Sequence, residues 1–225
     1  MQIVFIGLVF AVSVFVLALL KNVYGERAFK NGAYVLIAWL SALSILAKNG
    51  FFAEFDSLPP HLALALIPNM AFLIFLGTQK KAAQTLIKVS VVPLIAFQSF
   101  RVVMEYVLYR LVEVHALPSV LTLSGGNYDI FVGTTAPIMA VMAYVSGKKS
   151  YGVLKVWNVL GFLILTNTLA HGILSAPTRL QVFFTDPSSA LIATYPWIWL
   201  PGFVVPVALA GHILSFRQIA KLSQT

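Results

Sequence analysis

Gln98, Arg101 and Glu105 fall on one helix face at i, i+3 and i+7, in the run Phe97-Gln98-Ser99-Phe100-Arg101-Val102-Val103-Met104-Glu105. Apolar sequence flanks the run on both sides, which places this face at membrane depth. A charge there costs about 2.5–3.5 kcal/mol on insertion scales, so it is expected to have a partner and a role. A guanidinium has five donors and suits bidentate recognition of a carboxylate, phosphate or carbonyl group. Arg101 is therefore expected to hold an anionic or carbonyl group of a small ligand. Glu105 or Asp129 would be its counter-ion or proton site, and Gln98, Asn158, Asn167 and Asn69 are the further polar candidates. The competing reading is a structural latch, because Arg101 and Glu105 are i, i+4 neighbours and can pair on their own helix.

His171 and His212 are secondary candidates among the 4 histidines. At 1.5 Å rise per residue they differ in depth by roughly 15–20 Å, so they cannot ligate opposite faces of one haem. His61, His115 and His171 lie toward the same side as Asp56, Glu113 and Asp129, where imidazole and carboxylate could suit zinc or copper. No HxxxH or HExxH spacing supports a metal there, and none is expected. The last apolar segment has no lysine for a retinal Schiff base. GxSxG, P-loop and dinucleotide fingerprints are missing as well, so no cofactor is expected.

The elements that must position these residues follow from composition. Of 225 residues, 60% are hydrophobic and 10% charged, against about 25% charged in soluble domains. Mean hydropathy is +0.91. The expected fold is all-α, a polytopic transmembrane bundle of seven helices forming one domain over residues 1–225. Spans are expected near 3–20, 32–48, 62–78, 88–113, 129–147, 154–176 and 197–216. Residues 2–20 lack a basic leader and an evident cleavage site and are taken as the first span. There is no cysteine, which excludes disulfides, thiolate metal sites and Cys catalysis.

Net charge is +8, but its distribution argues against a nucleic-acid partner. Lys21, Arg27, Lys30, Lys80, Lys81, Lys88, Lys148, Lys149, Lys155, Arg217 and Lys221 fall at one set of span ends. The other set holds Lys48 and Arg179 beside Glu54, Asp56, Glu113, Asp129 and Asp186. The positive-inside rule then puts the N-terminus outside and the C-terminus in the cytoplasm. Pro68, Pro93, Pro137, Pro201 and Pro206 fall within spans, and each frees a carbonyl that a neighbour must satisfy. Gly125-Gly126-Asn127-Tyr128-Asp129 reads as a tight turn with Asn127 or Asp129 capping the next span. Thr185-Asp186-Pro187-Ser188-Ser189 reads as the start of a short interfacial helix ending at Pro196. Tyr24-Gly25 with Pro59, Ala65 and Pro68 parallels Tyr151-Gly152 with Pro187, Ala193 and Pro196, which suggests two three-helix repeats joined by the fourth helix.

Phe100-Arg101 with Glu105, Asp129-Ile130 with Gly133, and Ala136-Pro137 form one set of motifs. Trp157-Asn158 with Gly161, Ser175-Ala176-Pro177, Leu180-Gln181, Pro196-Trp197, Pro201-Gly202-Phe203, Val205-Pro206 and His212 form another. Over about residues 95–217 the chain resembles a widespread group of bacterial multi-pass membrane proteins whose activity is not established. The resemblance implies a topology and a set of positions rather than a reaction. The group is expected to carry an acid in the sixth span near Leu163–Thr166, where this chain has only Asn167 nearby. With that resemblance, the functional expectation is a small-molecule carrier or ligand-binding protein of the bacterial inner membrane. The alternatives are an intramembrane enzyme using the histidine and acid side, and a structural or sensory subunit.

Overall fold

The computed structural model describes residues 1–78 and 89–223. Lys80, Lys81 and Lys88, expected at a basic turn, lie outside the described residues. Every regular element among the described residues is helical. In chain order these are α1 (Gln2–Tyr24), α2 (Glu26–Lys48), α3 (His61–Thr78), α4 (Val91–Phe97), α5 (Phe100–Glu113), α6 (Asp129–Ser146), α7 (Tyr151–Leu174) and α8 (Val205–Leu222).

The expected count of seven separate spans is not what the helices give directly. Among the described residues five stretches are long and apolar enough to cross a membrane: Gln2–Tyr24, Glu26–Lys48, Val91–Glu113, Asp129–Leu174 and Leu200–Leu222, with His61–Phe75 a shorter apolar helix. Asp129–Leu174 is 46 residues long and would reach about 70 Å if straight. It folds back instead. Gly147 takes φ 49°, a 3-10 turn runs over Gly147–Ser150, and α6 packs on α7.

Hydropathy locates crossings better than it locates helix ends. Helix α2 begins at Glu26, ahead of the expected apolar start at 32, because Glu, Arg, Lys and Ala are good helix formers whether or not they enter lipid. The fourth span is also not one continuous α-helix. The N–H groups of Gln98, Ser99, Arg101 and Val102 bond three residues back, to Ile95, Ala96, Gln98 and Ser99. The Ser99 hydroxyl takes the Ala96 carbonyl at 2.7 Å, offering the backbone a local alternative to the helical ladder. This overwound turn joins α4 to α5.

Helix α1 buries Phe5, Leu8, Val9 and Val12, an i, i+3, i+4, i+7 stripe. It packs on α2 and α5; Phe15 stacks on Phe97 at 4.0 Å between centroids, and Phe5 meets Trp197 at 5.0 Å. Behind this pair, α8 is the central element, touching α3, α4 and α7. The segment following α2 meets the 3-10 turn Ser189–Ala193, and the turn Ser119–Leu121 meets α7. One end of the bundle therefore gathers residues 49–60, 114–128 and 175–199. The opposite end carries the α1–α2 and α6–α7 turns and the end of α8. Arg110 adds a basic residue toward the first end, paired with Glu113 at 2.8 Å. The expected short helix before Pro196 is the 3-10 turn Ser189–Ala193, with the Ser188 hydroxyl accepting from the Ala190 N–H. As for the repeat pattern, Pro68 lies inside α3, whereas Pro196 precedes the last helix.

The carbonyl that Pro206 frees finds donors on two other helices. Pro206 cannot bond the Gly202 carbonyl four residues back, and Leu200–Val204 widens into a π-turn. The Gly202 oxygen instead accepts from Trp39 Nε1 at 2.8 Å and Asn69 Nδ2 at 3.0 Å. The two donors tie α2 and α3 to the last helix. We expect Trp39→Phe or Asn69→Leu alone to cost under about 1 kcal/mol, since the other donor remains, and the double variant about 1–3 kcal/mol. Thermal melts in detergent would read this excess over the sum, and strict additivity would contradict the shared-acceptor account.

Candidate functional site

Gly133 brings α6 onto α5 at Arg101. A Cβ at Gly133 would lie 2.8 Å from the Val102 nitrogen and 3.2 Å from Arg101 Cβ, so only a glycine allows this approach. One turn earlier on α6 stands Asp129, whose Oδ1 lies 3.7 Å from Arg101 Nη1. The Arg101 side chain is 2% exposed. Its Nε, Nη1 and Nη2 are all buried without a hydrogen-bond partner among the described residues, and Asp129 Oδ1 is likewise unmatched. A guanidinium–carboxylate hydrogen bond is about 2.7–2.9 Å long, so the two groups attract without bonding.

Arg101 and Asp129 both face a half-open cavity of ≈ 150 Å³ enclosed by α3, α5, α7, the π-turn and α8. Leu66, Met104, Leu108, Leu165, Ile192 and Val204 typify its wall, and the polar side chains on it besides the pair are Thr168 and Thr178. Helices α3 and α7 flank the cavity, and each packs on α8. The volume exceeds the roughly 10–15 Å³ that one water requires. A buried charge on an oily wall with unused donors can orient a polar group there.

Glu105 does not pair with Arg101, contrary to the latch geometry. Its Oε1 accepts from the Leu123 N–H at 3.1 Å and its Oε2 from Asn127 Nδ2 at 2.8 Å. Asn127 is expected only as a cap, but the N-cap position falls on Tyr128, which makes no side-chain cap bond; Asn127, one residue earlier, accepts through Oδ1 from the Asp129 N–H at 3.0 Å. It also donates to the Leu121 carbonyl and accepts from Thr168 Oγ1, both at 2.8 Å. The 114–128 segment is thus bolted to α5 and α7 through one buried amide. Gly125 and Gly126 make this possible: a Cβ at Gly125 would lie 2.2 Å from Val120 Cα, and Gly126 takes φ 100°. The only sequence trace of the hub was the Gly-Gly-Asn-Tyr-Asp turn.

The other candidates lie apart from the cavity wall. Gln98 Nε2 donates to the Ala208 carbonyl at 3.0 Å, packed where Gly211 leaves room. Asn69 serves the π-turn as described. Asn167 is exposed and donates to the Gly126 carbonyl at 2.9 Å, so it supports the loop. Asn158 donates to the Leu154 carbonyl, which turns its Oδ1 to His212 Nδ1 at 3.1 Å. These two line a second crevice between α7 and α8, with Phe162, Phe216 and Arg217. His171 bonds the Asn167 carbonyl at 2.8 Å and stacks on Phe183. His61 bonds the Phe51 carbonyl and stacks on that ring. Among the described residues no three His, Asp or Glu side chains converge to hold a metal ion.

The profile of a domain of unknown function, DUF8737, matches residues 58–220. The chain belongs to that family. The match takes in Arg101, Glu105, Asn127 and Asp129 and the whole cavity wall, and it leaves out the α1–α2 pair. The DUF8737 region therefore coincides with the helices that build the cavity. No curated protein and no solved structure matches the chain.

Proposed function

We propose that this chain is a bacterial inner-membrane protein that binds one small amphiphilic molecule, as a carrier or receptor. The polar head sits at Arg101 and the apolar body lies between α3 and α7. The observation that carries the reading is the Arg101 guanidinium, buried on a cavity wall with every nitrogen lacking a hydrogen bond among the described residues. A latch would use those donors, because an unmatched buried group costs about 1–3 kcal/mol, and more when charged. Two features support a carrier in particular: the overwound turn beside Arg101 and the π-turn on the cavity wall are the helix interruptions that transporters place at binding sites.

The topology proposed with it is seven crossings, with α6 and α7 separate and α3 completing the set. Helix α3 has 18 residues and reaches about 27 Å, near the hydrocarbon thickness. Lys21, Arg27, Lys30, Lys148, Lys149, Lys155, Arg217 and Lys221 then face the cytoplasm, and the cavity lies in the outer half beneath residues 114–128 and 175–199.

The experiment is native mass spectrometry of protein released from detergent. The wild type is expected to carry one equivalent of an amphiphile extracted with it. The R101Q variant should lose at least ten-fold in occupancy, and R101Q/D129N, which leaves no lone acid, should lose it while keeping a cooperative melt. Equal occupancy in wild type and R101Q/D129N would overturn the proposal.

A further inference from the structure

The head group of the bound molecule can be specified further, on the reading that the cavity is a ligand site. Arginine keeps its proton in proteins, and Asp129 stands 3.7 Å from it as counter-ion. The pair carries no net charge. Glu105 offers a ligand no free acceptor here, because both its oxygens are engaged by the Leu123 N–H and Asn127 Nδ2, and its charge, one turn along the same helix, can only disfavour a further anion. No other charged side chain among the described residues stands on the wall.

An anionic head would gain from Arg101 but would bring a second negative charge beside Asp129, in a setting with little water to screen it. A head with acceptors alone would serve the guanidinium and leave Asp129 Oδ1 unmatched. A head with donors alone would do the reverse. The unmatched atoms on the wall are guanidinium donors and one carboxylate acceptor, side by side. A neutral group offering an acceptor and an O–H within a few ångströms of each other completes both. Apart from Thr168 and Thr178, the rest of the wall is aliphatic and aromatic and is half-open, which suits a hydrocarbon chain continuing into lipid.

We infer that the ligand is an uncharged acyl amphiphile bearing a free hydroxyl, of the monoacylglycerol type. Its ester oxygens accept from Arg101 and its hydroxyl donates to Asp129 Oδ1.

The test is a competition at pH 8.5 among three probes with the same unsaturated acyl chain: monoolein, methyl oleate and oleate. Native mass spectrometry tells the bound species apart by mass. Monoolein is expected to outcompete each of the others at least ten-fold on the wild type. Asp129→Asn removes the carboxylate nearest Arg101, so preference should turn to oleate by a similar factor. Wild-type preference for oleate or methyl oleate, lost in R101Q/D129N, would overturn the head-group assignment while leaving the ligand site standing. Indifference of all three probes to R101Q/D129N would overturn both. The wild-type ranking decides the question even if D129N folds poorly.

Discussion

Replacing Asn127 with alanine should destabilise the protein by about 3–5 kcal/mol, a fall in melting temperature of roughly 10 °C for a chain of this size. The side chain is 0% exposed and meets four different groups. Its amide hydrogens go to Glu105 Oε2 and the Leu121 carbonyl, and its oxygen takes the Asp129 N–H and the Thr168 hydroxyl. Alanine leaves Glu105 with the Leu123 N–H alone, and a buried carboxylate short of donors is the costly part of the loss. Asn127→Asp should be worse, since it sets a like charge 2.8 Å from Glu105. Adding Glu105→Gln to Asn127→Asp should restore part of the stability by exchanging donor and acceptor across one contact. The measurement is a double-mutant cycle on detergent melts. An Asn127→Ala variant melting within about 2 °C of wild type would show that the 114–128 segment is held by something else.

The same residue marks how far the site could be read before folding. Arg101 was legible because a guanidinium between Phe100 and Val102 contradicts its surroundings. Its partner was legible only as a choice between Glu105 and Asp129, of which Asp129 is the one found. The i, i+4 relation to Glu105 is visible along one helix, but the helix is not free to choose it. Glu105 is claimed by Leu123 and Asn127, 18 and 22 residues downstream. Asp129 reaches Arg101 only because Gly133 lets two helices close, and a glycine inside an apolar stretch does not say which neighbour it admits. The prolines show the same division. That Pro206 frees the Gly202 carbonyl follows from its chemistry; that Trp39 and Asn69 answer it is a product of packing. Helical character and the one-sided charge pattern were legible because lipid imposes them residue by residue. The helical stretches were less evenly legible: the break at Gly147 is marked by Lys148 and Lys149, whereas the overwound turn at Gln98–Val102 lies in backbone hydrogen bonding inside one apolar run.

The Arg101–Asp129 pair gives the second large expected effect. Arg101→Met should destabilise by about 3–5 kcal/mol, because it strands a buried acid, and Asp129→Leu should do likewise by stranding the guanidinium. The double variant R101M/D129L should melt at or above the wild type, by up to about 4 kcal/mol, as buried pairs often do when replaced by apolar residues of similar bulk. The geometry favours that outcome. At 3.7 Å the pair has attraction without a hydrogen bond, so it recovers little of the desolvation of either ion, and the wall around it is already apolar. The sign of the double variant separates the two roles open to a charge at membrane depth. A pair that exists to hold helices together would make R101M/D129L less stable than wild type. A pair kept unsatisfied for a ligand would make it more stable and unable to bind, the exchange of stability for function expected at a binding site.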